Sequence, residues 1–416
     1  MFACGLDFGT SNTTLGILRE GAPWLVPLDG AEVAIPSAIF FPPQDSPAIG
    51  RGAIEAYVEG HPGRLMRSLK SALGKPLIEE TTPVGRRRIT FREVIARYLG
   101  AVKAQAEAAG ARELDTVVHG RPVHFVDGDP EGDRRAEASL RRIATEIGFR
   151  EVSFEYEPIA AALDYERSLA GEEIALIADI GGGTSDFSVV RLGPERRGRP
   201  ERAGDILAND GVRIGGIDFD QLLSLDQVMP ELGYRSPAKR EGLDVPSSYF
   251  HDLSTWSSIN RLYGLKPRRE IAEVKRDAAR PDLIDRLLRV VSAERGHTLA
   301  MEVERSKIEL SGAERAVIPL EWLEAGLSVG IARQDLVRST ASLAGKVQAR
   351  ILACLGQAGV APEAVDAVFL TGGSTRLLHL RAAIVAAVPS ARVVEGDTFG
   401  SVGMGLTIEA ARRYGA

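Results

Sequence analysis

Cysteine is nearly missing from this chain: Cys4 and Cys354 are the only two in 416 residues. That excludes a disulfide framework and makes a reducing, cytoplasmic location the expectation. Cys4, inside an apolar run, reads as a small buried hydrophobe. The N-terminus has no signal-peptide pattern, and no apolar run reaches spanning length, so no membrane partner is expected. Positive charge is not in excess either. The 51 basic and 57 acidic residues leave −6, which removes the electrostatic case for nucleic acid. The basic clusters Arg86-Arg87-Arg88 and Arg196-Arg197-Gly198-Arg199 are short and read as solvated loops. A Gly-x-x-x-x-Gly-Lys-Ser/Thr stretch is absent, which argues against a P-loop nucleotidase. His119 and His124 have no partner at metal-ligand spacing and read as structural histidines.

Glycine, in contrast, is placed with a pattern. Ile177 to Asp186 reads Ile-Ala-Asp-Ile-Gly-Gly-Gly-Thr-Ser-Asp between two apolar, strand-length stretches. This is a strand, a glycine turn and a strand. Glycines there let backbone N–H groups approach an anion that a Cβ would block. Asp179 and Asp186 would repel a bare phosphate, so a cation is implied, and magnesium suits few carboxylates and several waters. A plain hairpin is the competing reading. The same grammar recurs at Phe2 to Thr14, around Asp7-Phe8-Gly9-Thr10-Ser11-Asn12, and at Ala367 to Arg376, where a helix pattern follows. Three such units suggest a duplicated architecture with a nucleotide between its halves.

Taken in order, residues 1 to about 30 read as a β-meander with a turn at Gly21-Ala22-Pro23. Ile35 to Phe41 is a further strand. Arg64 to Gly74 is a helix or loop carrying Lys70, which on its own reads as a surface lysine. Helical spacing marks Thr90 to Ala109 and Arg134 to Ile147. Glu157-Pro158 opens a helix, its carboxylate either capping the end or reaching into a cleft. Gly215-Gly216 starts another, a second anion-facing terminus. Tyr234 to Tyr249 is irregular, and Trp256 to Ile318 reads as mostly helical. Within it Glu304, Lys307 and Ser311 share one helix face, by itself an exposed, salt-bridged one. Gln334 to Gly356 and Val402 to Arg413 are helices, and Ala391 to Val394 is a strand.

The motifs Asp7-x-Gly9-Thr10, Glu157-Pro158-x-Ala160-Ala161-Ala162, Asp179-x-Gly181-Gly182-Gly183-Thr184-x-Asp186, Gly215-Gly216-x-Asp218 and Gly372-Gly373-Ser374-Thr375-Arg376 occur in that order. Together they resemble the nucleotide-binding domain of the seventy-kilodalton heat-shock chaperones (DnaK type). Gly120-Arg121-Pro122, Tyr156 to Tyr165 and Phe399-Gly400-Ser401-Val402 look most like its short YegD-like branch. The resemblance covers nearly the whole chain. It implies an α/β, duplicated actin-like ATPase (ribonuclease H-like) fold with two lobes, each a core plus an accessory subdomain. Lobe I would be 1–171, with its accessory part about 37–112. Lobe II would be 172–400, with its accessory part about 215–303. A helix at 401–416 would return to lobe I.

The resemblance also implies roles. Asp7 and Asp179 would hold hydrated Mg2+. Backbone groups of Thr10, Ser11, Gly182, Gly183 and Thr184 would wrap the phosphates of ATP or ADP, with Asn12 and Gly181 also nucleotide-binding. Lys70 would reach the γ-phosphate. Asp186 and Glu157 would orient the attacking water, its deprotonation being a further role open to them. Gly215, Gly216, Gly372, Gly373 and Ser374 would line the nucleotide, Glu304, Lys307 and Ser311 would clasp adenosine, and Arg376 would stack on adenine. The catalytic set is then Lys70, Glu157, Asp179, Thr184 and Asp186. Two departures stand out: Ile308 where the family often has a basic residue, and a poor match over Leu232 to Ala300. A chain without the apolar linker and peptide-binding domain is expected. It would act as a slow, monomeric, chaperone-like ATPase whose lobes open and close for an unidentified client or co-chaperone. A small-molecule kinase, an actin-like filament former and a nucleotide-binding regulator that barely hydrolyses are the alternatives.

Overall fold

The computed structural model of the chain describes residues 2–43, 46–85, 87–110, 112–126, 128–197, 199, 201–394 and 400–415. Arg86, Gly198 and Phe399, named above, lie outside the described residues. The chain divides into two compact units: 1–212 with 350–375 and 385–416, and 213–349 with 376–384.

The first unit carries the same sheet twice. Strands β1 (Ala3–Phe8), β2 (Asn12–Arg19), β3 (Ala22–Leu25), β4 (Thr116–Arg121) and β5 (Glu151–Tyr156) lie in the order β5-β4-β1-β2-β3. Strands β6 (Glu173–Ile180), β7 (Ser185–Leu192), β8 (Ile206–Val212), β9 (Ala367–Thr371) and β10 (Arg392–Val394) lie in the order β8-β7-β6-β9-β10. In each, an antiparallel three-strand meander is followed by two strands parallel to the first. A parallel return needs a long crossover, and helices supply it. They are α1 (Phe91–Gly110), α2 (Pro130–Glu146) and α3 (Glu157–Glu166) around the first sheet. In the second, the last residues of a helix from Arg333 to Ala358 precede β9. This repeat is the duplicated ribonuclease H-like core that the motifs imply.

Local chemistry explains most of these elements. Val94, Ile95, Tyr98, Leu99, Val102 and Ala106 of α1 are buried, one face at helical spacing. Asp129 caps α2, accepting from the N–H groups of Glu131 and Gly132. The turn between β2 and β3 is Glu20-Gly21, both at positive φ, which matches a tight hairpin. It is therefore one step earlier than the turn read from Gly21-Ala22-Pro23. Pro23 sits instead in edge strand β3, where its missing N–H is tolerated.

Ile35 to Phe41 is strand as read, split into Ile35–Pro36 and Ala38–Phe41. Three other features were not visible in the pattern. Ala48–Ile49 and Arg64–Arg67 pair with Ala38–Phe41 in a small sheet beside a helix, Gly50–Val58. Thr81–Val84 pairs with Arg87–Thr90. In the second unit, the stretch read as helical ends in a hairpin, Arg315–Pro319 with Ser328–Ala332. That unit also holds α4 (Gly216–Leu223) and α5 (Gly296–Glu309), with helices at Ser248–Ser254, Leu265–Asp277 and Pro281–Ser292 between them in sequence. Among the described residues, no helix is long and apolar enough to cross a membrane.

The final helix of the first unit, Ser401–Tyr414, lies against α3 and the first sheet. The approach to α3 is so close that a Cβ on Gly405 would stand 1.8 Å from the Ala160 carbonyl oxygen. Backbone cannot yield as a side-chain tip can. Gly405→Val is therefore expected to shift urea unfolding by about 3 kcal/mol or more. Gly330→Val, where a Cβ would meet nothing within 4 Å, is expected to stay within about 0.5 kcal/mol. Urea titrations followed by circular dichroism compare the two.

Candidate active site

Asp7 and Asp179 occupy the same place in the two sheets. Each is the next-to-last residue of its central strand, β1 or β6. The turns after them close with the same bond: the Gly9 N–H donates to the Asn12 carbonyl at 2.9 Å, and the Gly181 N–H to the Thr184 carbonyl at 2.9 Å. A third turn follows β9. Gly372 there has φ of +79°, and a Cβ on it would lie 2.3 Å from the Ile180 carbonyl oxygen and 2.8 Å from Asp179 Oδ1. Only glycine fits. The turns also touch one another. The Gly182 N–H donates to Ser11 Oγ at 3.1 Å, joining the first to the second. Ser374 Oγ donates to the Gly181 carbonyl at 3.2 Å, joining the third to the second.

Lys70 reaches this point from the small sheet. It lies on a 3₁₀ turn, Leu69–Ala72, entered through Ser68 in the left-handed region at φ 56°. A non-glycine residue there costs about 1 kcal/mol, which the Ser71 hydroxyl offsets by donating to the Ser68 carbonyl at 2.7 Å. Lys70 Nζ donates to Glu157 Oε1 at 2.6 Å, and both side chains are largely enclosed. Lys70 is thus not the surface lysine its local sequence suggests, and Glu157 does reach inward. Glu157 is the first residue of α3, whose N-terminus favours a carboxylate.

The electrostatics are those of a cation site. Burial, then Glu157, pushes the Asp7 carboxyl up to about 8. Burial and Glu157 likewise push Asp179 up to about 6. Burial and Asp179 push Asp186 up to about 7, although Asp186 is open to solvent, which screens part of that effect. Burial would lower the pKa of Lys70, but Glu157 and Asp7 overcome it and hold the ammonium above its ordinary value. One lysine against four carboxylates leaves negative charge that a metal ion or proton relieves. Hard carboxylate oxygens at Asp7 and Asp179 suit magnesium bound through water, and a cavity lined by Glu157, Asp179 and Asp186 gives room beside them. The residues present therefore fit a magnesium-bound phosphate. Thr184 is exposed and its hydroxyl donates to Asp186 Oδ2 at 3.0 Å, which orients that carboxylate. Thr10, Ser11 and Asn12 are half-buried on the first turn, and Gly183 is half-buried on the second.

A cavity of about 330 Å³ opens beside the cluster, lined by Glu157, Asp179, Asp186, Ser188, Asp210 and Thr371 among others. Asp210 went unnoticed in the sequence because it lies inside strand β8, where the glycine that follows it, Gly211, opens no turn. It is held by Gln357 Nε2 at 2.9 Å and Arg350 Nη1 at 3.2 Å.

In the second unit, Gly215, Gly216, Glu304, Lys307 and Ser311 lie on α4, α5 and the residues beside them. Lys307 is buried at 7% exposure and donates to the Gly216 carbonyl at 3.1 Å and to Asp220 Oδ2 at 2.9 Å. That replaces the exposed, salt-bridged face read from the spacing alone: its lysine is turned onto a neighbouring helix. Glu304 and Ser311 are half-buried, and Ile308 is 60% exposed. Gly373 lies on the third turn, and Arg376, exposed, ends the same 3₁₀ turn.

His119 is buried as a structural histidine should be. Its Nδ1 meets the Gly120 carbonyl oxygen at 2.8 Å. Burial pushes its pKa down to about 4, Gly120 raising it a little and Lys70 lowering it. A histidine depressed in the folded state binds protons more weakly than in the unfolded chain. Its contribution to stability is complete above about 6.5 and is lost as pH falls toward 4. His119→Phe is expected to remove this loss, on the order of 3 kcal/mol at full extent. Unfolding curves of both proteins at pH 7.5 and pH 4.5 measure it: the variant's stability relative to wild type rises on acidification.

The family model described as Hsp70 protein matches residues 3–235 and 291–411. In general that domain binds ATP or ADP with magnesium, its members hydrolyse ATP, and they work with client proteins and co-chaperones. An ATP-binding, chaperone-like function of this general kind goes with the match. With most of its length matched and the three glycine turns gathered around one acidic cluster, this chain belongs to the Hsp70 family.

Proposed function

We propose that the chain is a slow, magnesium-dependent ATPase of the chaperone type. Its lobes, 1–171 and 172–400, open and close with nucleotide exchange, and residues 401–416 return to lobe I. The reading rests above all on the 2.6 Å Lys70–Glu157 pair set among Asp7, Asp179 and Asp186 where three glycine turns touch.

In this reading Asp7 and Asp179 hold magnesium through water, and that ion supplies positive charge to the phosphates when bound. Backbone groups of Thr10, Ser11, Gly182, Gly183 and Thr184 wrap the β- and γ-phosphates, and Asn12 and Gly181 belong to the same nucleotide-binding set. The Ser11–Gly182 bond yields to a phosphate oxygen, a stronger acceptor. Lys70 offsets charge that develops on the transferred phosphoryl group. Glu157 and Asp186 orient the attacking water and take its proton. Phosphoryl transfer needs positioning and charge more than covalent help, which this cluster can give. Glu304, Lys307 and Ser311 clasp adenosine, with Gly215, Gly216, Gly372, Gly373 and Ser374 along the nucleotide and Arg376 on the adenine. The protein acts as a cytoplasmic monomer for a client or co-chaperone, without nucleic acid or membrane.

Phosphate release from ATP by the purified protein tests this. Slow turnover is expected with magnesium, and none with chelator. Lys70→Ala and Asp186→Ala are each expected to lower turnover about a hundredfold or more. Turnover unchanged in either variant overturns the catalytic assignment. ADP formation that requires an added acceptor points to a small-molecule kinase, and ATP-dependent pelleting to a filament former.

A further inference from the structure

Glu157 occupies an end that its own helix does not secure. No side chain caps the N-terminus of α3, and Tyr156 fills the cap position with extended backbone. What holds that corner comes from the neighbouring strand. Arg121, the last residue of β4, is in register with Tyr156, the last residue of β5. Its guanidinium lies 5.0 Å from the Tyr156 ring centre and 5.5 Å from that of Phe125. The same group donates to the carbonyls of Pro122 at 3.2 Å and Val123 at 3.3 Å, and to the Glu137 carboxylate on α2. Its side chain is only 16% exposed. Before it comes Gly120, where a Cβ would sit 3.3 Å from Glu157 Cγ and 3.0 Å from Leu406 Cδ1. The end of β4 thus gives Glu157 its seat: space at Gly120 and a brace at Arg121.

We propose that Arg121 is a positioning residue for the Glu157 carboxylate, acting through Tyr156. The inference rests on the hydrolytic reading above. Arginine suits the task because one planar group can stack on a ring and donate in its own plane. Its charge is answered by Glu137, so its part is to hold geometry rather than to meet phosphate. Lysine keeps the charge but cannot stack and fork together. A positioned carboxylate matters because small displacements at a reacting centre lower rates steeply.

The test uses the full chain with Arg121→Met and Arg121→Lys, each alone and combined with Glu157→Ala. Two readouts are taken: ATP turnover, and amide hydrogen exchange over residues 154–160. Arg121→Met is expected to lower kcat about tenfold with KM for ATP within about twofold of wild type. Arg121→Lys is expected to fall between. Exchange should quicken over 154–160 while the rest of the chain keeps its protection, which also shows that the variants are folded. In the Glu157→Ala background, Arg121→Met should lower kcat no further. An equal fall in both backgrounds overturns the proposal, since the arginine then acts on something other than Glu157. Unchanged kcat, or unchanged exchange at the corner, overturns it as well. If the wild-type protein shows no turnover, the hydrolytic reading fails and the catalytic part of this proposal falls with it. Exchange at 154–160 then decides the brace separately.

Discussion

Asp7, Glu157, Asp179 and Asp186 stand near enough to disturb one another, and Lys70 bonds only one of them. Like charges gathered in a partly enclosed place destabilise a fold unless something answers them. Everything around the cluster serves to hold it despite that repulsion. Two sheets fix the aspartates, a strained turn at Ser68 presents the lysine, and three glycine turns lock together through Ser11 and Ser374. Such expense of stability in one spot is what a site for a charged ligand looks like.

The duplication explains how the residues meet. β1 and β6 are counterparts, each leading through an identical Gly N–H bond into an antiparallel strand. Held in one compact unit, the two sheets bring Asp7 and Asp179 together though 171 residues separate their turns at Ser11 and Gly182. The asymmetry between the halves is equally telling. The first turn offers side chains, Thr10, Ser11 and Asn12, where the second offers bare backbone at Gly181, Gly182 and Gly183. A Cβ on Gly182 would stand 2.2 Å from Ser11 Oγ, so the two turns approach only because one lacks what the other carries.

What could be read in advance followed from short-range chemistry. Glycine turns after apolar strands, the periodic face of α1 and the proline at the start of α3 all announce themselves within a few residues, and each lies close to where that chemistry puts it. The family was legible for the same reason: its motifs are local. Long-range pairing was not. Nothing near Lys70 shows that it meets Glu157, 87 residues on. The helix Gly50–Val58 was hidden by glycine and charge at its start, and the hairpin at Arg315 by the strong helical pattern just before it. Lys307 shows the limit well: its spacing with Glu304 and Ser311 is helical as expected, but the partner that buries it, Asp220, lies on another helix.

The break in the family match can be understood on the same terms. Residues 236–290 go unmatched, yet they fold largely into helices whose apolar side chains, including Phe250, Leu253, Ile271, Ile284 and Leu287, are buried. An apolar interior tolerates wide substitution so long as volume and pattern are kept. The positions flanking that stretch have no such freedom. Asp220 and Gly216 on one side meet Lys307 on the other through bonds that need those atoms at 2.9 and 3.1 Å. Sequence can therefore drift inside the unmatched stretch while the residues at its borders stay recognisable. None of the residues assigned to phosphate, metal or water falls within it, which is why the divergence leaves the acidic cluster and its three turns untouched.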